Sequence, residues 1–256
     1  MAPRKLIAGN WKMNLLKAEG EALVRALGDS LSGTPKPACD VLVCPPFTLL
    51  DALAPLCREA GLVLGAQDCH PKASGAFTGD VAAPMLADAG CTHVIVGHSE
   101  RRSLHGEDSA TVKAKAEAVL AAGLVAIVCV GETEAERDSG RAEEIVVAQL
   151  LASLPQGGTA ATLVAAYEPV WAIGTGETAT PADAAHAHAF LRARLRERLG
   201  EVRGGEVPIL YGGSVKPDNV AELLAADEVG GVLVGGASLD PEGFLALVAA
   251  GADRAR

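Results

Sequence analysis

The sequence predicts an α/β fold, a closed (β/α)8 barrel spanning residues 1–256 as a single domain. Three observations predict it. Short apolar runs of Val, Ile, Leu and Ala alternate with helical segments along the whole chain, the pattern of repeated strand–helix units. The runs are continuous rather than alternately apolar and polar, as expected of parallel strands buried on both faces. Eight such runs occur with no Ser/Pro-rich linker between halves. An open doubly wound sheet is the alternative, but it usually needs fewer strands.

In chain order, run length and Gly/Pro boundaries place strands at roughly 5–11, 40–45, 62–67, 92–97, 125–131, 163–168, 208–212 and 231–235. The clearest helix between them starts at Thr180-Pro181-Ala182-Asp183: a hydroxyl for the N-cap, Pro at the first helical position and an acid in the first turn. Leu191, Leu195 and Leu199 share one face of it, and Gly200 ends it. Arg192, Arg194, Arg196 and Arg198, with Glu197 and Glu201 among them, read as a solvated face rather than a binding patch. A second start, Asp240-Pro241-Glu242, precedes the apolar Phe244–Val248.

Composition excludes several function classes. Hydrophobic residues make up 49% and charged residues 21%, enough for a large core and against disorder. A formal net charge of -10 argues against nucleic acid as the main partner, because phosphate backbones are held by clustered Lys and Arg. Aromatic residues are 3%, too few for rows of base-stacking platforms. A small anion needs only a few local donors and stays open. No apolar run reaches the roughly 18 residues of a spanning helix, so no membrane partner is expected. Met1-Ala2-Pro3-Arg4-Lys5 leads directly into a strand, so no signal peptide is expected. The six cysteines contain no Cys-x-x-Cys pair and read as reduced, buried thiols of a cytoplasmic protein.

The working face of such a barrel is the C-terminal end of its strands. Leaving the second run aside, the first ends in Asn10-Trp11-Lys12, the third in Gln67-Asp68, the fourth in His98-Ser99-Glu100, the fifth in Glu132, the sixth in Glu168, the seventh in Gly212-Gly213-Ser214 and the eighth in Gly235-Gly236. Glu168 closes an apolar run that Pro169 stops, and a short apolar segment with glycines follows. A carboxylate there reads either as a surface cap or as a general base that a mobile cover can seal from water. His98 reads as a satisfied core histidine or as a neutral imidazole at the start of a helical turn, able to donate to a carbonyl oxygen. Lys12 is an ordinary exposed lysine or an ammonium aimed at the rim. The glycine pairs are tight turns or a phosphate cradle of backbone N–H groups. His186 and His188 do not share a helix face, and His93 opens its strand, so no metal is expected. Cys129 has no base in view and reads as a small buried residue rather than a nucleophile.

The segments Ala8–Asn14, Val94–Arg102, Ala166–Gly176, Tyr211–Val215 and Leu233–Leu239 resemble the triosephosphate isomerase family, in its order and from end to end. The resemblance implies a TIM barrel and the interconversion of dihydroxyacetone phosphate and glyceraldehyde 3-phosphate through an enediol(ate), in glycolysis and gluconeogenesis. It implies that Glu168 is the base, His98 the neutral electrophile, and Lys12 a positive charge near the oxyanion and phosphate. Asn10 would lie beside Lys12, and Glu100 would be its ion-pair partner. Gly174, Ser214, Gly235 and Gly236 would grip the phosphate, with Val170 to Gly176 as the lid. No cofactor is implied.

A homodimer is implied too, formed through the loop 65–79, whose Gly75-Ala76-Phe77-Thr78-Gly79 agrees with the family pattern. Asp68 replaces an expected Asn, His70 an aromatic and Asp80 a Glu, and Ser103-Leu104-His105 is less aromatic than usual. These departures bear on the interface and not on the chemistry. A metal-dependent epimerase would need several His/Asp ligands at strand ends, and a Schiff-base aldolase a lysine deep in a strand; neither is present. A catalytically dead scaffold would have lost Glu168, His98 or Lys12, and all three remain.

Overall fold

The structure, a computed structural model, describes residues 4–32, 37–173 and 177–253 of the 256. Eight parallel strands close into a barrel in sequence order: β1 (Leu6–Asn10), β2 (Asp40–Cys44), β3 (Val63–Ala66), β4 (His93–Val96), β5 (Val125–Val130), β6 (Leu163–Tyr167), β7 (Ile209–Tyr211) and β8 (Gly231–Val234). Closure is made by β1 against β8, with Leu6 opposite Gly231 and Ala8 opposite Leu233. Each expected strand is present, trimmed by a residue or so at its ends.

The helices are α1 (Lys17–Ser32), α2 (Leu50–Ala60), α3 (Ala83–Asp88), α4 (Ser99–His105), α5 (Ser109–Ala121), α6 (Glu134–Asp138), α7 (Ala142–Ser153), α8 (Pro181–Leu199), α9 (Glu201–Glu206), α10 (Val220–Ala225) and α11 (Pro241–Asp253). The two starts legible in sequence are capped as expected. Thr180 and Asp183 cap α8 reciprocally, each side chain accepting the other's backbone N–H at 3.0–3.1 Å. The Asp240 carboxylate accepts the Gly243 N–H at 2.7 Å ahead of α11.

Strands that read as unbroken apolar runs divide into two cores by parity. Leu6, Ala8, Leu42, Ile95, Ile127, Cys129, Val164, Ala166, Leu210 and Leu233 fill the barrel. Ile7, Val41, Val43, Val94, Val96, Val128, Ala165 and Tyr167 face the helices. The inward rows run on to Asn10, the last residue of β1, and past the strand ends to Lys12 after β1, Glu168 after β6, Gly212 after β7 and Gly235 after β8. Parity thus aims these residues over the barrel mouth.

One expectation fails. Arg192 is not on a solvated face: it is buried, and its guanidinium donates to the carbonyls of Gly204 (2.6 Å) and Val207 (2.7 Å) and to Glu228 (2.8 Å). It lies one turn from buried His188 and beside Leu191 and Leu195, so it falls on the inner stripe of α8. Three acceptors beyond α8 replace the water it loses, which is what makes a buried guanidinium tolerable. All six cysteines are free and buried. Among the described residues no helix is long and apolar enough to cross a membrane.

Candidate active site

A cavity of about 400 Å³ opens at the C-terminal mouth, lined among others by Asn10, Lys12, His98, Glu168, Ser214, Gly235 and Gly236. The expected site residues that the structure describes therefore converge on one space. Gly174 lies outside the described residues, as do Thr175 and Gly176 of the expected lid; Val170–Ala172 form a single 3-10 turn.

Glu168 is buried, 2% exposed, and its carboxylate is tied at both oxygens. Oε2 accepts the Ser99 N–H at 2.9 Å, and Oε1 lies 2.8 Å from His98 Nε2. Burial pushes this carboxyl up, but His98, the Ser99 N–H and the Lys12 ammonium together hold it below the ordinary carboxylate value. Space for the side chain is left by Gly212, where a Cβ would come 2.9 Å from Glu168 Cγ.

His98 is placed by the turn out of β4. Gly97 has φ +68, which glycine adopts without strain, and a Cβ on it would meet Val112 at 2.7 Å. His98 then caps α4, its Nδ1 accepting the Glu100 N–H at 3.2 Å. A ring nitrogen that accepts a backbone N–H carries no proton, so the neutral ring holds its hydrogen on Nε2, facing Glu168. Burial pulls this imidazole down, yet the Glu168 carboxylate more than offsets it and sets the ring above its ordinary pKa. The neutral imidazole expected from the helix terminus is thus opposed by the carboxylate beside it.

Lys12 has φ +52, a conformation that costs a non-glycine residue on the order of 1–3 kcal/mol. Two bonds hold it there: its N–H donates to Asn10 Oδ1 at 3.1 Å, and its carbonyl accepts from Gln67 Nε2 at 2.8 Å. The ammonium pairs with Glu100 at 2.6 Å, and Gly235 lies against its stem, where a Cβ would sit 3.3 Å from Cε.

Three supports carry no signal that the sequence reading assigned. The Ser99 N–H is invisible as a backbone group. Gln67 stands in the inward row of β3, and parity identifies it once the barrel is accepted. Glu132 ends the fifth apolar run; it is buried, and its Oε1 accepts from Tyr167 OH (2.9 Å) and Trp171 Nε1 (2.8 Å), tying the end of β6 to the turn Val170–Ala172. Cys129 is fully buried with its thiol pushed well up, consistent with packing.

Comparison with known proteins gives the family. The sequence profile of the triosephosphate isomerase family matches residues 5–251. The chain is 56% identical to a triosephosphate isomerase of Bradyrhizobium diazoefficiens over 246 residues, 96% of this chain and 97% of the relative. It is also 56% identical to one from Acidiphilium cryptum over 255 residues, 97% and 98% of the two chains. The crystal structure of the enzyme from Bartonella henselae superposes with a TM-score of 0.88 at 44% identity, covering 95% of this chain and 97% of that one. The chain belongs to the triosephosphate isomerase family, the glycolytic isomerases that interconvert dihydroxyacetone phosphate and glyceraldehyde 3-phosphate.

Proposed function

We propose that in this chain Glu168 moves the proton between the two substrate carbons while His98 and Lys12 hold the oxygens. The observation that carries this is the direct 2.8 Å contact between Glu168 and His98 at the wall of a cavity that Lys12 also lines. A substrate entering that cavity replaces the contact: its carbonyl oxygen takes the Nε2 hydrogen, and its carbon faces the freed carboxylate. With the carboxylate turned to carbon, its upward push on the imidazole weakens. Burial, Lys12 and the Glu100 N–H then favour the neutral ring, which polarises the carbonyl by hydrogen bonding.

Lys12 supplies positive charge to the developing enediolate and to the phosphate, with Asn10 fixing its backbone. Ser214, Gly235 and Gly236 offer donors for the phosphate after β7 and β8, and Gly174 joins them from the lid. Closure of Val170 to Gly176 keeps water from the intermediate. The substrate carbons give and receive the same proton, so no cofactor takes part.

The working form is a homodimer joined through the loop 65–79, acting in the cytoplasm in both glycolysis and gluconeogenesis. Support for the dimer comes from exposed Met13, Phe47 and Leu104 around a hollow of about 730 Å³ beside the site, apolar surface that a second copy would cover. Sedimentation of the purified protein tests it; a monomer at micromolar concentration removes it.

The test of the roles supplies glyceraldehyde 3-phosphate and follows dihydroxyacetone phosphate through a coupled reductase. Glu168→Gln is expected to lose on the order of 10³-fold in kcat while keeping its affinity for inorganic phosphate. Retained turnover would remove Glu168 as the base.

A further inference from the structure

Glu168 works only if its backbone is held as firmly as its carboxylate, and the structure shows what holds it. Its N–H donates to Val130 O at 2.8 Å, and the N–H of Val170 donates to Glu132 O at 3.1 Å. Between those two acceptors stands Gly131, pressed against the base. A Cβ built on Gly131 would lie 1.8 Å from the Glu168 carbonyl oxygen and 2.7 Å from its carbon. On the opposite side the Gly212 N–H donates to Tyr167 O at 2.7 Å, and Gly212 leaves no room for a Cβ against Glu168 Cγ. The base is therefore gripped between two glycines.

Gly212 is fixed by β7, which ends one residue earlier. Gly131 lies beyond the end of β5 and takes both of its hydrogen bonds from one side chain. Gln149 of α7 accepts the Gly131 N–H on Oε1 at 3.0 Å and donates from Nε2 to the Gly131 carbonyl, also at 3.0 Å. A single primary amide thus satisfies donor and acceptor of the residue that abuts Glu168 and fixes the tilt of its peptides. A rotation of Gly131 would drive its Cα into the Glu168 carbonyl or open a gap behind it. Either way the direction of the Glu168 Cα–Cβ bond changes.

We propose that Gln149 is a positioning residue for the isomerase reaction, acting on the Glu168 base through the Gly131 peptide without touching substrate. This rests on the reading of Glu168 as the base. The expected signature is a loss in the proton-transfer step alone, because the phosphate donors follow β7 and β8 while Gln149 bonds to the turn after β5. Misplacement of a reacting group by a fraction of an ångström costs about tenfold in rate, on the scale set by roughly 10²-fold for 1 Å.

The test compares Gln149→Leu, which loses both bonds, with Gln149→Glu, which keeps an acceptor for the Gly131 N–H and loses the donor. Expected for the Leu variant is a kcat lower by about tenfold, with KM and the inhibition constant of inorganic phosphate unchanged within about twofold. The kinetic isotope effect with substrate deuterated at the transferred position should rise, since proton abstraction becomes the slow step. The Glu variant, whose second oxygen would face the Gly131 carbonyl, should also lose kcat at unchanged KM, and it carries the test alone should the Leu variant not fold. A kcat within about twofold of wild type, a loss shared equally by KM, or an unchanged isotope effect overturns the proposal. Glu168→Gln run alongside separates the two readings: if it keeps turnover the base is misassigned, and if it is inactive while both Gln149 variants are normal only the positioning role fails.

Discussion

Glu100 and Arg101 are neighbours at the start of α4, yet they feed two charge clusters built for opposite ends. Through Glu100 the helix meets Lys12, which is partly exposed, strained in its backbone and paired with one carboxylate. Through Arg101 it meets a cluster around Lys115, whose ammonium is buried and touches Asp68 at 2.7 and 2.9 Å and Glu107 at 2.5 Å. Arg101 itself reaches Asp68 at 2.8 Å and Glu107 at 2.5 Å, so two cations face two carboxylates. The first cluster borders a cavity and has charge to spare for a ligand; the second is nearly saturated within the protein. The difference teaches that burial and charge alone do not mark a site. What marks it is a charge whose partners can be exchanged for substrate.

Substituting the two lysines should break this comparison into mirror images, and the largest effect belongs to Lys12. Lys12→Met is expected to lose on the order of 10²–10³-fold in kcat/KM, the range for removing one preorganised charge from a developing oxyanion. Its stability should hardly change, because the Glu100 pair is partly exposed and such pairs contribute little. Lys115→Met should do the reverse. It leaves Asp68 and Glu107 sharing Arg101 alone, and breaking a buried pair by removing one partner costs about 3 kcal/mol or more. Urea denaturation would show that loss, while kcat per folded chain stays near wild type. A Lys115 variant as inactive as the Lys12 variant would mean that the clusters are not separate.

The contrast also explains what the sequence revealed and what it hid. The barrel was legible because continuous Val/Ile/Leu/Ala runs have few alternatives to buried parallel strands. The rim was legible because Lys12, His98 and Glu168 each follow a strand directly, so chain order reports position. The Lys115 cluster was not, since Asp68 and Lys115 stand 47 residues apart and their meeting is a property of the closed barrel. Arg192 was hidden for a related reason: its neighbours put it on the inner stripe of α8, but the acceptors that let a guanidinium stay there, Gly204, Val207 and Glu228, lie beyond its helix. Gln149 and Ser99 act through backbone groups, which leave no trace in side-chain chemistry.

The pH behaviour of Glu168 sharpens the comparison further. A carboxyl held below its ordinary value of 4.5 in the folded chain contributes stability above the unfolded pKa, and that contribution is lost as pH falls through the folded value. Among the groups that lower it, His98 acts most strongly against burial. In His98→Asn burial is left with weaker opposition, so the carboxyl should titrate higher than in the wild type. A carbon NMR titration of labelled glutamate carboxyls would show the midpoint moving up. Unchanged titration would mean that the Ser99 N–H and Lys12 alone keep the Glu168 carboxylate ionised.

The smallest expected effect concerns Asp68, where the family resemblance led us to expect asparagine. In Asp68→Asn the amide oxygen, set at the Oδ2 position, can still accept from both Arg101 and Lys115, but the amide nitrogen that replaces Oδ1 is a donor facing Lys115. One charge-assisted bond is lost and one donor–donor contact appears, while Glu107 continues to hold both cations. The net cost should be about 1 kcal/mol, read as a lower urea midpoint at unchanged slope. Turnover should stay within about twofold, because neither Lys12 nor Glu168 changes partner. A loss of turnover beyond about tenfold would show that charge in the Asp68 cluster reaches the site through the paired residues of α4, and the division between the two clusters would then fail.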